Sequence, residues 1–266
     1  MGMDGTEAGA IDMERQQRRL TGRLRWAGAH RRVRAFAEGR AVADSRDTRI
    51  VWEPGRVVAQ YAVPIADLDA ELVDGEPFVP ADRLPGVLTP RNPFAMHSTT
   101  GTAWSLRLPS GAVLAGAAFV PDDPALSAHA LLDWRAFDEW REEDEVVVGH
   151  PHDPFQRIDC LASDQHVVVR TGDVVLAETT RPVLLRETHL QDRWYIPRAD
   201  VRMDLLVPSD SRTVCAYKGT ASYWSTALGD RVISDVAWSY ETPLHDGAPI
   251  GGMLCFYDDR VTVEVG

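Results

Sequence analysis

The sequence predicts an all-β protein with minor helix, arranged as two tandem domains of short antiparallel strands. The main observation is an internal repeat: residues 64–72 return in near-identical order as residues 197–205, and residues 101–105 return as residues 219–225. Hairpin patterns also recur at equivalent places in the two halves. A repeat of this kind within 266 residues favours two domains over one.

The repeat also predicts the domain boundaries. We expect a flexible, arginine-rich leader at residues 1–30, a first domain at 31–150 and a second at 155–266. The proline-rich run His150-Pro151-His152-Asp153-Pro154 separates the two domains.

Strands of the first domain follow from short runs of valine, isoleucine and alanine. Residues 33–37 and 41–43 flank Glu38-Gly39-Arg40, which predicts a hairpin. Residues 49–53 predict the next strand.

One helix is expected, near residues 133–144. Leu132, Ala136, Phe137 and Trp140 would share one face of a helix, and Asp133 is a suitable N-cap.

The second domain repeats the strand pattern of the first. Residues 167–170 and 174–177 flank a turn at Gly172-Asp173, and residues 183–187 predict the following strand. A further hairpin is predicted by residues 222–228 and 231–238 around Gly229-Asp230.

Charge and composition limit the classes of function. The net charge of −12 argues against general nucleic-acid binding, because phosphate contacts need a basic face. Nine arginines nevertheless lie between residues 13 and 40. They suggest either a phosphate-binding arm or a solvated leader that docks on acidic surface. With no apolar stretch of roughly 20 residues, no signal-peptide core and three cysteines without metal spacing, we expect a cytoplasmic protein that does not enter a membrane.

Several motifs then point to a known family. They are Arg186-Glu187-Thr188, the run from Tyr195 to Leu206, Cys215-Ala216-Tyr217-Lys218-Gly219 and Ala221-Ser222-Tyr223-Trp224-Ser225. With them, the chain resembles a bacterial family known only as domain of unknown function 427, in a tandem two-domain form. The resemblance implies a β-tent fold, in which two small antiparallel sheets pack at an angle over a pocket. The first copy has lost the Tyr-Lys-Gly element, reads His97-Ser98-Thr99-Thr100-Gly101 instead, and carries an insertion between Leu72 and Gly101.

The family is sometimes labelled nucleotidyltransferase-like, and some other β-tent proteins bind zinc through Cys-x-x-Cys pairs. This chain has neither those pairs nor a Gly-Ser turn that leads to paired acidic ligands, and Asp67-Leu68-Asp69 lies inside the repeated motif. His150, His152 and Asp153 have ligand-like side chains, to which His97 and His129 could add. Convergence of these residues is not predicted by spacing, so we expect no metal. No cofactor motif is present either, so we expect no cofactor.

Lys218 is the most informative candidate, because it is the single lysine among 28 lysine and arginine residues. Aromatic surroundings favour loss of a lysine's charge, which would allow it to act as a base or Schiff-base nucleophile. The alternative is a structural cation–π contact. With Lys218 we predict Glu187 and Tyr223 as catalytic residues. Four further aromatic residues are predicted to bind the ligand: Tyr217, Trp224, Trp238 and Tyr240.

The leading hypothesis from sequence is a small-molecule enzyme that uses acid/base chemistry without a cofactor. Its pocket would lie in the C-terminal domain or at the domain interface. Two alternatives remain open: a non-catalytic ligand-binding or interaction protein that uses the arginine-rich arm, and a nucleotidyltransferase as the family label suggests.

Overall fold

The computed structural model describes residues 10–75, 84–228 and 232–266, which form two compact units, residues 1–153 and 154–266. The first nine residues of the expected leader, part of the insertion after Leu72, and the predicted turn at Gly229-Asp230 lie outside the described residues. Most of the regular structure is antiparallel strand, with one α-helix and several short 3-10 turns among the described residues. The prediction of an all-β fold with minor helix is confirmed.

The described part of the first unit contains one α-helix, α1 (Met13–Leu20), and eleven strands. The strands are β1 (Arg25–Gly28), β2 (Val33–Ala37), β3 (Arg40–Ser45), β4 (Arg49–Trp52), β5 (Gln60–Pro64), β6 (Glu71–Asp74), β7 (Gly101–Arg107), β8 (Val113–Pro121), β9 (His129–Leu132), β10 (Glu139–Glu142) and β11 (Glu145–Val147). They form a seven-stranded sheet in the order β1-β4-β5-β9-β8-β7-β6 and a four-stranded sheet in the order β11-β10-β2-β3.

The described part of the second unit contains ten strands. They are β12 (Ile158–Ala162), β13 (Val167–Thr171), β14 (Val174–Thr179), β15 (Val183–Glu187), β16 (Arg193–Ile196), β17 (Leu206–Cys215), β18 (Gly219–Thr226), β19 (Ala237–Ser239), β20 (Leu254–Phe256) and β21 (Thr262–Val265). One sheet has the order β12-β15-β16-β20-β19-β18-β17, and the other has the order β14-β13-β21. Taken strand by strand along the chain, the seven-stranded sheets of the two units have the same order.

The repeated sequence motif builds the same turn in both units. Pro64 and Pro197 each precede a single turn of 3-10 helix, Ile65–Asp67 in the first unit and Arg198–Asp200 in the second. In both units the chain then pairs with the second sheet: the amide of Asp69 donates to the carbonyl of Val42 at 2.8 Å, and that of Arg202 donates to Leu176 at 2.8 Å. The motif therefore ties the larger sheet to the smaller one.

The predicted helix near residues 133–144 is wrong. Asp133 caps only one 3-10 turn, Trp134–Ala136, and the chain then enters β10. Along β10 burial alternates, with Trp140 and Glu142 buried and their neighbours partly exposed, which is the period of a strand. Because β10 pairs with both β2 and β11, its backbone N–H and C=O groups find hydrogen-bond partners on both sides. Tertiary pairing thus overrides an apolar spacing that suits a helix equally well.

The leader region is more ordered than expected. Residues Arg25–Gly28 pair with β4 as an edge strand, although the sequence placed them in a flexible leader. Before them, the eight-residue α1 is capped by Asp12, whose carboxylate accepts the amide of Arg15 at 3.1 Å. Among the described residues, no helix is long and apolar enough to cross a membrane.

Two faces of the seven-stranded sheet in the second unit have different surroundings. Residues such as Ile196, Ala237 and Leu254 face the smaller sheet and form one apolar core. Tyr195, Trp238 and the other residues that alternate with them belong to a second cluster on the opposite face. Since side chains of a strand point alternately to the two faces, one strand set serves both clusters.

We predict that Gly101→Ala destabilises the first unit by about 1–3 kcal/mol, the usual range for overpacking. A Cβ atom at Gly101 would lie only 2.5 Å from Cζ of Phe119 and would also meet the carbonyl oxygen of Val120. Gly86→Ala is the matched control, because a Cβ at that position meets nothing within 4 Å. Urea denaturation would measure both changes, and equal stability of the two variants would contradict the prediction.

Candidate functional site

Lys218 lies at the tip of the β17–β18 hairpin. Cys215 pairs with Gly219, so Ala216, Tyr217 and Lys218 form the connecting loop. Gly219 has φ = +89°, a conformation that suits glycine. Hairpin tips are ordinarily exposed, yet all three loop residues here are buried, and Lys218 is only 6% exposed.

A segment near the C-terminus covers this tip. The carbonyl of Lys218 accepts the amide of Leu244 at 3.1 Å, and the 3-10 turn His245–Ile250 follows directly. Within that turn, Gly247 packs against the lysine stem: a Cβ atom there would lie 3.3 Å from Cγ of Lys218. The close approach fixes the direction in which the lysine side chain leaves the backbone.

The ammonium of Lys218 forms an ion pair with Oε2 of Glu187, the last residue of β15. Both side chains are at most 9% exposed. The other carboxylate oxygen, Oε1, accepts a hydrogen bond from Nε2 of Gln156 at 3.3 Å. Both oxygens of the buried carboxylate therefore have donors, as burial of a charge requires.

This ion pair lies in the wall of a cavity of about 440 Å³. That volume falls within the roughly 300–1,000 Å³ usual for small-molecule pockets. Five of the twelve residues in its wall are tyrosine or tryptophan; the twelve are Leu185, Glu187, His189, Leu190, Gln191, Arg193, Tyr195, Lys218, Tyr223, Trp238, Tyr240 and Tyr257. All of them belong to the second unit.

Hydrogen bonds hold the aromatic wall in place. Nε1 of Trp238 donates to the hydroxyl of Tyr195 at 2.9 Å, and the two rings meet edge to face. The hydroxyl of Tyr223 lies 2.9 Å from Oγ1 of Thr213 and 3.5 Å from the hydroxyl of Tyr257. Aromatic pairs in this geometry are rigid and well packed.

Burial also determines the ionisation of the tyrosines. Loss of solvation raises the pKa of Tyr195 and of Tyr240, and nearby acidic groups raise both further. The pKa of Tyr257 is raised by burial and by its hydrogen bond with Tyr223. These hydroxyls are protonated at neutral pH, as tyrosine ordinarily is, and their raised pKa values keep them protonated and able to donate hydrogen bonds at higher pH as well.

The structure brings together five of the seven residues that the sequence singled out. Lys218, Glu187, Tyr223, Trp238 and Tyr240 all line the cavity.

The remaining two predicted residues are placed elsewhere. Tyr217 is buried in the hairpin tip but is not part of the cavity wall. Trp224 follows Tyr223 on β18 and so points to the opposite face, where it packs against the core between the sheets and under Arg198. Because side chains alternate between the two faces along β18, Tyr223 and Trp224 cannot both line the same pocket.

Sequence reasoning missed Tyr195, Arg193 and Tyr257. Tyr195 and Arg193 lie on β16, in the middle of the sheet, and Tyr257 follows β20. Residues 193–196 alternate between the two faces, which would have indicated that Arg193 and Tyr195 share one. Which face carries the cavity depends on the neighbouring strands, and no local pattern specifies it.

The corresponding face of the first unit is filled. The pairing registers match Ala62 with Tyr195, Ala103 with Tyr223 and Phe119 with Trp238. Two wall tyrosines are thus replaced by alanine.

Other side chains occupy the space near those alanines. The ring of His97 stacks on Phe119 at 3.7 Å and meets Phe94 edge-on at 4.8 Å. Phe94 and Leu126 pack in the same cluster. In the described part of the first unit, this sheet face is therefore packed with apolar and aromatic side chains.

Glu53 is the counterpart of Glu187 and has a different set of partners. Its carboxylate is fully buried and lies 3.0 Å from both Nε of Arg56 and Nδ1 of His97, and it accepts the amide of Ser98 at 3.0 Å. Burial alone would raise the pKa of Glu53, but the hydrogen bond to His97, the charges of His97 and Arg56 and the Ser98 amide together hold it below the ordinary value. Both oxygens of the Glu53 carboxylate therefore have hydrogen-bond donors from the first unit.

The histidine motif at the end of the first unit forms a different cluster. Nδ1 of His152 lies 2.9 Å from Oε2 of Glu142, and the same oxygen binds Arg31. The other oxygen, Oε1, accepts a hydrogen bond from the hydroxyl of Tyr61. Burial favours a higher pKa for Glu142, but bonds from His152 and Tyr61 and the charges of His152 and Arg31 lower it overall.

These histidines do not converge as metal ligands. Nδ1 of His150 lies 2.8 Å from the carbonyl oxygen of Pro151, and Asp153 accepts Nε1 of Trp52 at 3.1 Å. His97 is stacked against Phe119, and His129 is buried in β9. In the part of the chain that the structure describes, no group of three His, Cys, Asp or Glu residues is arranged to hold a metal ion.

Comparison with known proteins identifies the second unit. Residues 159–266 match a family model described as Domain of unknown function (DUF427). The second unit is similar to this family over almost its whole length. The match covers the unit that contains the cavity, and it does not extend into the first unit. No curated protein matches the chain.

We predict that Glu53→Gln destabilises the first unit by about 3–5 kcal/mol at neutral pH, because Arg56 would lose the partner of a buried charge. The folded-state pKa of Glu53 is depressed, so its contribution is present above the ordinary value of 4.5 and is lost as pH falls through the folded pKa. The variant should therefore show a shallower loss of stability in acid.

Urea unfolding across pH, with hydrogen exchange of β4 and β7 amides to assign the unit, measures this effect. Glu71→Gln is the control, since Glu71 forms an exposed pair with Arg107, which contributes about 0–1 kcal/mol. Identical acid profiles for wild type and Glu53→Gln would contradict the prediction.

Proposed function

We propose that the second unit is a cofactor-independent acid/base enzyme that acts on a small molecule bound in its aromatic cavity. The observation that carries this proposal is the buried Lys218–Glu187 ion pair in the cavity wall. Tyr223, which lies in the same wall with its hydroxyl bonded to Thr213 and near Tyr257, is proposed as the second proton-transferring group.

Stability alone gives a weak reason for this pair. Desolvation of two charges largely offsets their attraction, and an apolar pair of similar size often stabilises a core as well or better. In the first unit the equivalent carboxylate, Glu53, lies among packed side chains and binds an arginine. Arginine cannot be deprotonated under physiological conditions, whereas lysine can exchange its proton.

The geometry suggests a division of roles. Lys218 would transfer a proton to or from the substrate, and Glu187, held by Gln156, would orient the lysine and exchange the proton with it. An oxygen that gains negative charge during the reaction would be stabilised by the ammonium and by the Tyr223 hydroxyl. The aromatic wall would exclude water from the reacting group.

We also infer that the two units are copies of one domain and that the second has kept the working pocket. The shared strand order and the repeated turn motif support this inference. In the first copy, alanines at positions 62 and 103 and the stacked ring of His97 take the place of the cavity. The three free cysteines fit a reducing cytoplasm.

The residues that line the cavity give less support to nucleotidyl transfer, because they offer few metal ligands. Glu187 is the only carboxylate among the residues that line the cavity, and its oxygens bind Lys218 and Gln156. Nucleotidyltransferases hold metal ions through paired acidic ligands, which these lining residues do not supply.

An interaction role for the arginine-rich arm has one specific observation in its favour. Arg15, Arg18 and Arg19 on α1 are exposed, and so are the apolar Met13 and Leu20. If this surface binds nucleic acid, the full chain should bind a short single-stranded oligonucleotide with strong salt dependence, and replacing the three arginines with glutamine should abolish binding. Lys218→Arg is the control that should leave oligonucleotide binding unchanged. Absence of binding by the parent chain excludes this role.

For the enzyme, we predict that Lys218→Arg lowers turnover at least about 100-fold, the lower end of a general acid/base contribution. Arginine keeps the charge beside Glu187, so the melting temperature should stay within about two degrees of the parent, equivalent to less than 1 kcal/mol. Tyr223→Phe should reduce turnover more mildly. The measurement is deuterium incorporation from D₂O into a panel of small enolisable metabolites, followed by NMR.

Arg202→Lys is the matched control, since it makes the reverse exchange in an exposed pair with Asp204. It should change neither turnover nor melting temperature. Turnover that survives Lys218→Arg would overturn the catalytic role of the lysine. Ligand binding without any exchange in the parent chain would favour a binding protein instead.

A further inference from the structure

We propose that the cavity of the second unit recognises a planar, conjugated organic anion, such as an unsaturated carboxylate attached to an aromatic ring. This inference rests on the proposed function, because it names the ligand class of the same site. Three properties of the wall support it: the shape set by its rings, the excess of hydrogen-bond donors and the balance of charge.

The shape of the cavity is set by flat rings. The centroids of Trp238 and Tyr257 are 4.4 Å apart with an angle of 45° between the planes, and Tyr195 meets Trp238 at 88°. Tyr223 and Tyr240 complete the aromatic wall, and leucines 185 and 190 are its aliphatic members. Rings in these orientations offer faces and edges to another planar ring, which a puckered saturated ring contacts less well.

The wall offers many donors and few available acceptors. Glu187, the one carboxylate among the lining residues, already binds Lys218 through Oε2 and Gln156 through Oε1. The Lys218 ammonium has three N–H groups, and among the residues that the structure describes Glu187 is its one hydrogen-bond partner. Tyr240 and Tyr257 are protonated at neutral pH like ordinary tyrosines, and burial, which raises their pKa values, keeps them protonated at higher pH as well. A ligand that matches this wall must supply acceptor oxygens.

The balance of charge points the same way. Arg193 and Lys218 contribute two positive charges to the wall, and Glu187 contributes one negative charge. His189 is the remaining titratable nitrogen base among the lining residues. Arg193 also binds Asp258, which lies outside the wall, and its guanidinium lies 5.6 Å from the centroid of Trp238.

A cationic ligand fits less well than an anionic one. Aromatic cages bind cations through ring faces, but Arg193 already lies over Trp238. The carboxylate that would pair with a ligand cation is held by Lys218. A neutral planar ligand would contact the rings but would bring no negative charge to Lys218 and Arg193.

Four matched probes test this ligand class on the full chain by calorimetric titration. They are trans-cinnamate, cinnamamide with the same planar skeleton but no charge, 3-cyclohexylpropanoate with the same charge but a saturated ring, and cinnamylamine with the opposite charge. We expect cinnamate to bind at least tenfold more tightly than each of the others. Equal or tighter binding of cinnamylamine or cinnamamide would overturn the anion preference, and equal binding of 3-cyclohexylpropanoate would overturn the requirement for planarity.

Two substitutions locate the binding in the cavity. Lys218→Met should weaken cinnamate binding at least tenfold and bring it level with cinnamamide. Glu187→Gln removes the negative charge beside the ammonium but leaves the lysine, so cinnamate should bind as tightly as before or more tightly. Weakening by Glu187→Gln to the level of Lys218→Met, with both variants folded by thermal melting, would overturn the proposal.

Arg202→Met serves as control, since it removes a positive charge from an exposed pair on the same unit. It should leave all four affinities unchanged. The proposed catalytic function and this ligand class can fail separately. Binding of a probe other than cinnamate that depends on Lys218 contradicts only the ligand class. If none of the probes binds and Lys218→Arg leaves turnover intact, both proposals fail.

Discussion

In each unit, a carboxylate at the end of the same strand of the larger sheet is buried, and a buried carboxylate requires a partner. Glu53 and Glu187 occupy these places, after β4 and at the end of β15. The residue that pairs with the carboxylate differs between a packed core and a cavity wall. Arg56 and His97 saturate Glu53 within a packed core, whereas Lys218 reaches Glu187 from a buried hairpin tip beside a cavity. A buried carboxylate is thus paired once inside a packed core and once in the wall of a cavity.

Because side chains alternate between the two faces of a strand, the same strand arrangement can carry either a packed core or a cavity on one face of the larger sheet. In the second unit, one face of the larger sheet packs against the smaller sheet and supplies an apolar core. The opposite face therefore need not be filled with aliphatic residues for the unit to fold. Tyrosine and tryptophan on that face, with Leu185, build a wall that encloses space, and small residues in the first unit allow Phe94 and His97 to fill it.

Backbone constraints position the lysine with little freedom. Gly219 adopts φ = +89° directly after Lys218, and Gly247 lets the covering turn approach its side chain closely. Order of this kind limits the positions available to the ammonium. Preorganisation of the donor suits both transfer of a proton and recognition of an anion, because neither then requires the side chain to be ordered on binding.

The sequence by itself determined the all-β class and the internal repeat, and it singled out Glu187, Lys218, Tyr223, Trp238 and Tyr240, which all line the cavity. These inferences rest on local features: alternation, turn residues, and a chemically distinct residue in a recognisable motif. The tertiary structure decided the rest. It converted the expected helix after Asp133 into a 3-10 turn and a strand, because β10 finds pairing partners on both sides.

Tertiary structure also decided which aromatic residues share the cavity. Trp224 lies beside Tyr223 in sequence but on the opposite face of β18, while Tyr195 and Tyr257 come from distant segments to complete the wall. Sequence specifies that a strand has two faces. Only the pairing of strands far apart along the chain specifies which residues meet on each face, because those contacts depend on the register and order of the whole sheet.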